Sequence, residues 1–162
     1  EHFEPTFLEY YTVGLCQKMG LPSFHKDSFD CGMAFLRILQ TEQLDYTESF
    51  IRLQNKQFET IKDDCLDRRQ FESFLAQYES IRANQDTDAL DAEMTKANPQ
   101  YILRNHMAQK AIELAEQDDF SEVERLFKLL SQPYLKQPDL EQPEDLGPLP
   151  SDVPEVMVSC SS

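Results

Sequence analysis

The stretch Asn98-Pro99-Gln100-Tyr101-Ile102-Leu103-Arg104-Asn105-His106-Met107-Ala108-Gln109-Lys110-Ala111-Ile112-Glu113-Leu114-Ala115 reads as a helix from its first residues. Asn98 is a suitable cap, because its side-chain oxygen accepts a free backbone N–H. Pro99 fits the first helical position, where the N–H it lacks would have no partner. Leu103, Met107, Ala111, Leu114 and Ala115 then recur at the spacing that lines one helix face. Just beyond, Asp119 and Glu122 form a capping-box-like pair. Val123, Leu126, Phe127 and Leu130 carry the apolar pattern onward.

The same period runs upstream. Leu8, Tyr11, Leu15 and Met19 share a helix face. Gly20 then suits the left-handed position that ends a helix, and Pro22 follows. Asp27 is a candidate cap for a helix whose stripe is Cys31, Ala34, Phe35 and Ile38. A shorter helix begins near Asp45 or Thr47, with Phe50, Ile51 and Leu53 as its apolar residues. Phe71, Phe74, Leu75 and Tyr78 belong to a helix of about five turns, from roughly Leu66 to Arg82. Asp86 to Lys96 is a further helical candidate. No alternating pattern argues for a sheet. The expectation is an all-α fold, an irregular bundle of about six or seven helices over residues 1–132.

Composition changes at Pro133. The segment 133–162 holds six of the nine prolines, six acidic residues and a single lysine, Lys136. Prolines this frequent prevent a regular helix. The segment is expected to be an extended or disordered acidic tail, free or laid over a partner surface. Its end turns apolar again at Val156-Met157-Val158, before Ser159-Cys160-Ser161-Ser162.

The net charge of −15 works against nucleic-acid binding, which needs a clustered basic surface to displace counterions. No apolar run approaches the ~20 residues of a membrane-spanning helix. A chain that starts at Glu1 rather than Met reads as a piece of a longer protein. Cys16, Cys31 and Cys65 fall inside helical patterns, where a free cysteine acts as a small apolar side chain. None of the four cysteines forms a C-x-x-C, and a secreted disulfide framework is not indicated.

Catalytic motifs are hard to find. The four glycines form no phosphate-cradling loop. Asp30-Cys31-Gly32 has the form of a kinase metal-binding Asp-x-Gly, but it lies in a helical pattern without catalytic-loop residues upstream. His2, His25 and His106 have no zinc-ligand spacing, and His106 reads as a boundary histidine with its hydrogen bonds met. The pairs Asp63-Asp64, Glu113 with Glu116, and Asp118-Asp119 read as exposed helix faces in an acidic chain. Taken by themselves, the residues describe a helical domain with a cysteine-bearing tail and no visible active site.

Several stretches go beyond composition. The block Asn98 to Ile112 runs on through Asp119-Phe120-Ser121-Glu122-Val123 to Gln132-Pro133-Tyr134, and the chain closes on Val158-Ser159-Cys160-Ser161-Ser162. With Leu44-Asp45-Tyr46-Thr47, Phe50 and Leu53, and with the turn Lys18-Met19-Gly20-Leu21, these resemble the C-terminal region of the selenoprotein O family. The resemblance implies a kinase-like parent, a protein adenylyltransferase that moves AMP from ATP, with Mg or Mn, onto protein hydroxyl groups. Nucleotide- and metal-binding residues of that family lie upstream of the matched region. No catalytic, cofactor-binding or metal-binding residue is therefore assigned in this chain. One feature carries over: Cys160 occupies the antepenultimate position, held in the family by selenocysteine or cysteine and implied to pair with a cysteine of the kinase-like domain. Between Leu140 and Val156 the chain departs from the family, since it has no tryptophan. Arg104 and Asn105 read as structural.

The expected partners are the upstream kinase-like domain and the protein substrates of the parent, with no nucleic acid and no membrane. A bacterial cytoplasm is favoured over a mitochondrion. The alternative is a stand-alone helical protein–protein interaction module without an enzymatic role. The two differ in one feature: a segment that docks on a larger domain shows an exposed apolar patch when viewed alone.

Overall fold

In the computed structural model, residues 3–23 and 25–148 are described, with side chains from residue 6 onward. They form eight α-helices and one short 3-10 turn, and no strand occurs among the described residues. The all-α expectation holds, with one helix more than the upper figure. The additional one is α4, Phe58–Asp64, which is too short to show a periodic stripe and buries Ile61. The chain divides into two compact units, Glu1–Asn98 and Pro99–Ser162.

The first unit holds α1 (Phe3–Met19), α2 (Ser28–Glu42), α3 (Tyr46–Gln54), α4, α5 (Arg68–Arg82) and α6 (Thr87–Ala97). Aspartates cap three of them. Asp45 accepts from the Glu48 N–H at 2.8 Å, Asp67 from Gln70 at 3.1 Å and Asp86 from Ala89 at 3.2 Å. Each such cap contributes about 0.5–2 kcal/mol. Asp27 sits at the start of α2 but makes no side-chain cap, contrary to the sequence expectation. The entry to α2 is fixed instead by the Ser28 hydroxyl donating to the Pro22 carbonyl at 2.8 Å.

Helix α1 packs on α2 and α6, and α2 on α5. Phe35 is the centre of the core, stacked on Phe74 at 4.9 Å and edge-on to Phe50 at 5.3 Å. Such ring geometries add about 0.5–1.5 kcal/mol per pair to the burial itself. At Gly32 a Cβ would lie 2.7 Å from Leu15 Cδ2, so the close approach of α1 and α2 requires glycine.

A polar lock closes this unit where α1 ends. Gly20 is left-handed, with φ +60°, as its position after Met19 suggested. The Tyr78 hydroxyl donates to the Met19 carbonyl at 2.9 Å, and Arg82 Nη1 donates to the Gly20 carbonyl at 2.5 Å. Asn98 is almost fully buried, and its Nδ2 donates to the Lys18 carbonyl at 2.8 Å. Lys18 Nζ in turn donates to the Ala97 carbonyl at 2.8 Å and lies 5.8 Å from the Tyr46 ring centre. Burial lowers the pKa of Lys18.

The second unit corrects the reading of the opening stretch. Asn98 ends α6 rather than starting a helix, and α7 runs from Asn105 to Ala115. Residues 99–104 are irregular because their N–H groups are satisfied elsewhere: Gln100 and Tyr101 both donate to the Pro133 carbonyl, at 2.7 and 3.2 Å. Leu103 accordingly lies outside the helix and is exposed. The capping box at Asp119 and Glu122 is absent as well. Asp119 accepts from the Ser121 N–H, while Glu122 turns inward from α8 (Ser121–Ser131).

What Glu122 turns toward is Arg125. Arg125 donates to both Glu122 oxygens, at 2.9 and 2.7 Å, to both Asp145 oxygens, at 2.6 and 3.0 Å, and to the Leu140 carbonyl at 2.8 Å. Residues 133–146 are thereby strapped over α7 and α8. Buried Tyr101 adds to this, since its hydroxyl donates to Glu141 and accepts from the Gln137 N–H at 2.8 Å. The sequence boundary at residue 133 thus marks a change of conformation, from helix to strap, inside a unit that begins at Pro99.

Two predictions follow from these locks. Substituting Gly20→Ala forces a side chain into a left-handed turn and against the Arg82 guanidinium and Met94. It is expected to lower stability by about 2–4 kcal/mol in urea unfolding, and a loss under about 0.5 kcal/mol would contradict the turn. The hydrogen bonds from Arg125 hold the Glu122 carboxyl below its ordinary 4.5. A depressed folded value means that the stability is present above the unfolded pKa and lost as pH falls through the folded one. Hydrogen-exchange protection of Gln137 and Gln142 should therefore fall as pH drops below 4.5, and Glu122→Gln should flatten that dependence. Protection unchanged to about pH 3 would show that this pair does not hold the strap.

Candidate functional site

Helix α1 extends past the core that it joins. Leu15 and Met19 are buried, as their shared face predicts, but Leu8 is 53% exposed. Tyr10 is 75% exposed on another side of the helix. Phe7 stacks on Tyr11 at 5.9 Å, and Tyr11 meets the edge of Phe29 from α2 at 6.4 Å. The result is a continuous aromatic ledge over the first turns of α1. A helix apolar around its circumference is ordinarily covered on all sides. A contiguous apolar surface of this kind marks an interaction site.

The second feature is a cleft of about 320 Å³ beside the Gly20 lock, bordered by Lys56, Phe58, Tyr78 and Arg82. Its charges are already paired. Asp91 receives Arg82 Nη2 and lies 2.9 Å from Lys56 Nζ. Burial pushes the Asp91 carboxyl up, but hydrogen bonds and charge from Lys56 and Arg82 outweigh it and bring the pKa below the ordinary value. Burial drives the Tyr78 hydroxyl up to about 12, so it stays protonated as the donor to Met19. With Glu79 also at the cleft, two cations face two carboxylates, which leaves no net positive charge to hold a phosphate.

The residues singled out in the sequence do not converge. Asp30-Cys31-Gly32 lies within α2, with Cys31 and Gly32 in the interface with α1. Burial, and then the neighbouring Cys16, raise the Cys31 thiol to about 12, and burial raises Cys16 and Cys65 too. All three are therefore protonated and unreactive at neutral pH. His106 Nε2 is 2.9 Å from the Glu144 carbonyl, a strap contact. Asp63 pairs with Arg68 and Asp64 with Arg52. No group of three or more His, Cys, Asp or Glu among the described residues is placed to hold a metal ion. Cys160 lies outside the described residues. No described helix is long and apolar enough to cross a membrane.

Of the side chains that matter most to the fold, the roles of Arg82, Arg125 and Asp145 were missed in the sequence, and Asn98 was read as a helix cap. Arg82, Asn98, Arg125 and Asp145 act singly across separations of 20 to 80 residues. No local period marks such residues. Three of the segments that carried the family resemblance do meet in space, however. Lys18, Tyr46 and Asn98 form one contact set in the first unit.

A family model described as protein adenylyltransferase SelO matches residues 1–131. Among curated relatives, the protein nucleotidyltransferase YdiU of Pectobacterium atrosepticum is 36% identical over 99% of this chain and 34% of its own length. That of Herminiimonas arsenicoxydans is 36% identical over 99% of this chain and 33% of its own. That of Thioalkalivibrio sulfidiphilus is 34% identical over 100% and 34%. The chain thus spans about a third of the length of the curated relatives it matches. With a family match over most of its residues, the chain belongs to the SelO family of protein adenylyltransferases and represents its C-terminal region.

Proposed function

We propose that this chain is a structural and regulatory segment of a protein adenylyltransferase, one that transfers AMP from ATP to hydroxyl groups of protein substrates. Nucleotide and divalent metal are bound by the other two-thirds of the parent protein. The observation that carries this reading is the aromatic ledge of α1, a run of large exposed side chains that the segment's own core leaves uncovered. On this reading the ledge docks on the kinase-like part of the parent. The length of the relatives supplies the missing partner. The segment works in the bacterial cytoplasm, in keeping with the bacterial sources of the relatives.

The regulatory part of the reading rests on Cys160. Thiol–disulfide exchange depends on access and on thiolate fraction, and Cys160 is the cysteine to which the family resemblance assigns that exchange. The three cysteines of the first unit are buried and protonated, so none of them competes for that role.

Titration of the 162-residue chain with ATP and Mg²⁺ or Mn²⁺ in a calorimeter should give no saturable heat. Saturable binding would overturn the placement of the nucleotide site. A second experiment tests the ledge. Leu8→Asp combined with Tyr10→Asp should cut apolar-dye binding while leaving unfolding free energy within about 0.5 kcal/mol per substitution, as for exposed positions. A loss of several kcal/mol would place these residues in the segment's own core and remove the docking surface.

A further inference from the structure

Helix α8 has two apolar faces. One is buried: Leu126 and Leu129 pack with Met107 and Ala111 of α7. The other is exposed. Phe120, just before the first turn, is followed at i+3 by Val123 and at i+7 by Phe127, which is 74% exposed. These three lie on one side of the helix over about 10 Å of its length. A fold that needed only to enclose its core would have polar residues there.

The charges around this face lean acidic: Lys128, next to Phe127, is an exposed base, and Arg125 is taken up by Glu122 and Asp145. Residues 113–124 contain Glu113, Glu116, Asp118, Asp119, Glu122 and Glu124, with no lysine or arginine. Glu122 is consumed by Arg125, but the other five are exposed. Glu124 flanks the apolar stripe directly, four residues after Phe120 and three before Phe127. Carboxylates near the start of α8 favour its dipole. Local stability does not account for Glu113 and Glu116, which stand at the C-terminal end of α7, where negative charge costs about 0.3–1 kcal/mol.

We propose that the Phe120–Val123–Phe127 face of α8 docks a cationic amphipathic helix of a separate partner protein. The partner helix carries two or three large apolar side chains at i, i+3 or i+4, and i+7, flanked by lysine or arginine. The apolar stripe supplies the contact area, and the carboxylates supply steering and register. A second copy of this chain does not fit, because a symmetric contact would set carboxylates against carboxylates in a protein of net charge −15. Permanent interfaces resemble a bisected core, whereas a charged rim around a small apolar centre suits a transient partner.

The probe is a synthetic 18-residue peptide of leucine and lysine patterned with helical period, set against a peptide of the same composition with the pattern scrambled. Binding to the 162-residue chain is read by fluorescence anisotropy. The expected result is at least about tenfold tighter binding of the patterned peptide, lost in Val123→Ser/Phe127→Ser with no change in thermal midpoint. Equal affinity of the two peptides, or undiminished binding by the double variant, would reduce the attraction to bulk charge and overturn the proposal. A concentration-dependent dimer that Phe127→Ser abolishes would identify a second copy as the occupant and overturn it too. So would failure of a full-length family member with the same three side chains to bind the peptide, since the rest of that chain would then cover the face.

Discussion

A left-handed turn with no space for a side chain holds α1 to the rest of its unit. Gly20 bends the chain so that the carbonyls of Lys18, Met19 and Gly20 point inward. Each would be a buried acceptor without a partner, at a cost of about 1–3 kcal/mol. Asn98, Tyr78 and Arg82 each supply one donor. Those donors come from α5 and from the end of α6, so the turn fixes three elements together. Arg82 is itself held by Asp91, and Asp91 by Lys56, which extends the constraint to the loop after α3. The apolar core around Phe35 provides most of the area, but this turn fixes how the helices meet.

The second unit solves a similar problem with charge. It buries few large side chains, with Tyr101, Met107, Leu126 and Leu129 as the main ones. Two helices alone are a small core. The strap of residues 133–146 completes it by bringing Asp145 down onto Arg125. A buried ion pair is costly to desolvate and repays this only when its hydrogen bonds are filled. Here four charge-assisted bonds and a carbonyl fill all the guanidinium donors that face inward, and the Gln142 N–H fills another Asp145 position at 2.7 Å. The strap is therefore held by specific geometry rather than by apolar area, which is why proline-rich, acidic sequence can serve as structure.

Much of the first unit was legible in the sequence. The stripes of α2, α3 and α5 and the glycine stop at Gly20 rest on short-range rules, and short-range rules hold where neighbours agree with them. The failures have a common cause. Asn98 and Pro99 carry a strong helix-start pattern, yet the Asn98 side chain is claimed by Lys18, some 80 residues away, and the N–H groups after it by Pro133. Glu122 is claimed by Arg125, three residues on in the same helix, which the strap holds in place through Asp145. In each case a contact fixed by the tertiary fold displaced a local cap. The candidate sites were less legible, because exposure of an apolar stripe is not a property of the stripe. Leu8 and Leu15 obey one period, and only packing separates the exposed residue from the buried one.

The two exposed apolar surfaces differ in chemistry, and the difference bears on what each does. Residues 6–15, around the α1 ledge, contain one charged side chain, Glu9. Residues 113–128, around the α8 stripe, contain six acidic ones and two basic ones, Arg125 and Lys128. An interface that never opens has no need of steering, and charge at its rim adds only desolvation. An interface that forms and breaks gains from charge, because long-range attraction raises the encounter rate and like charges turn away wrong partners. The sparsely charged ledge is thus suited to a permanent neighbour within the same protein, and the acidic stripe to a visiting cationic one.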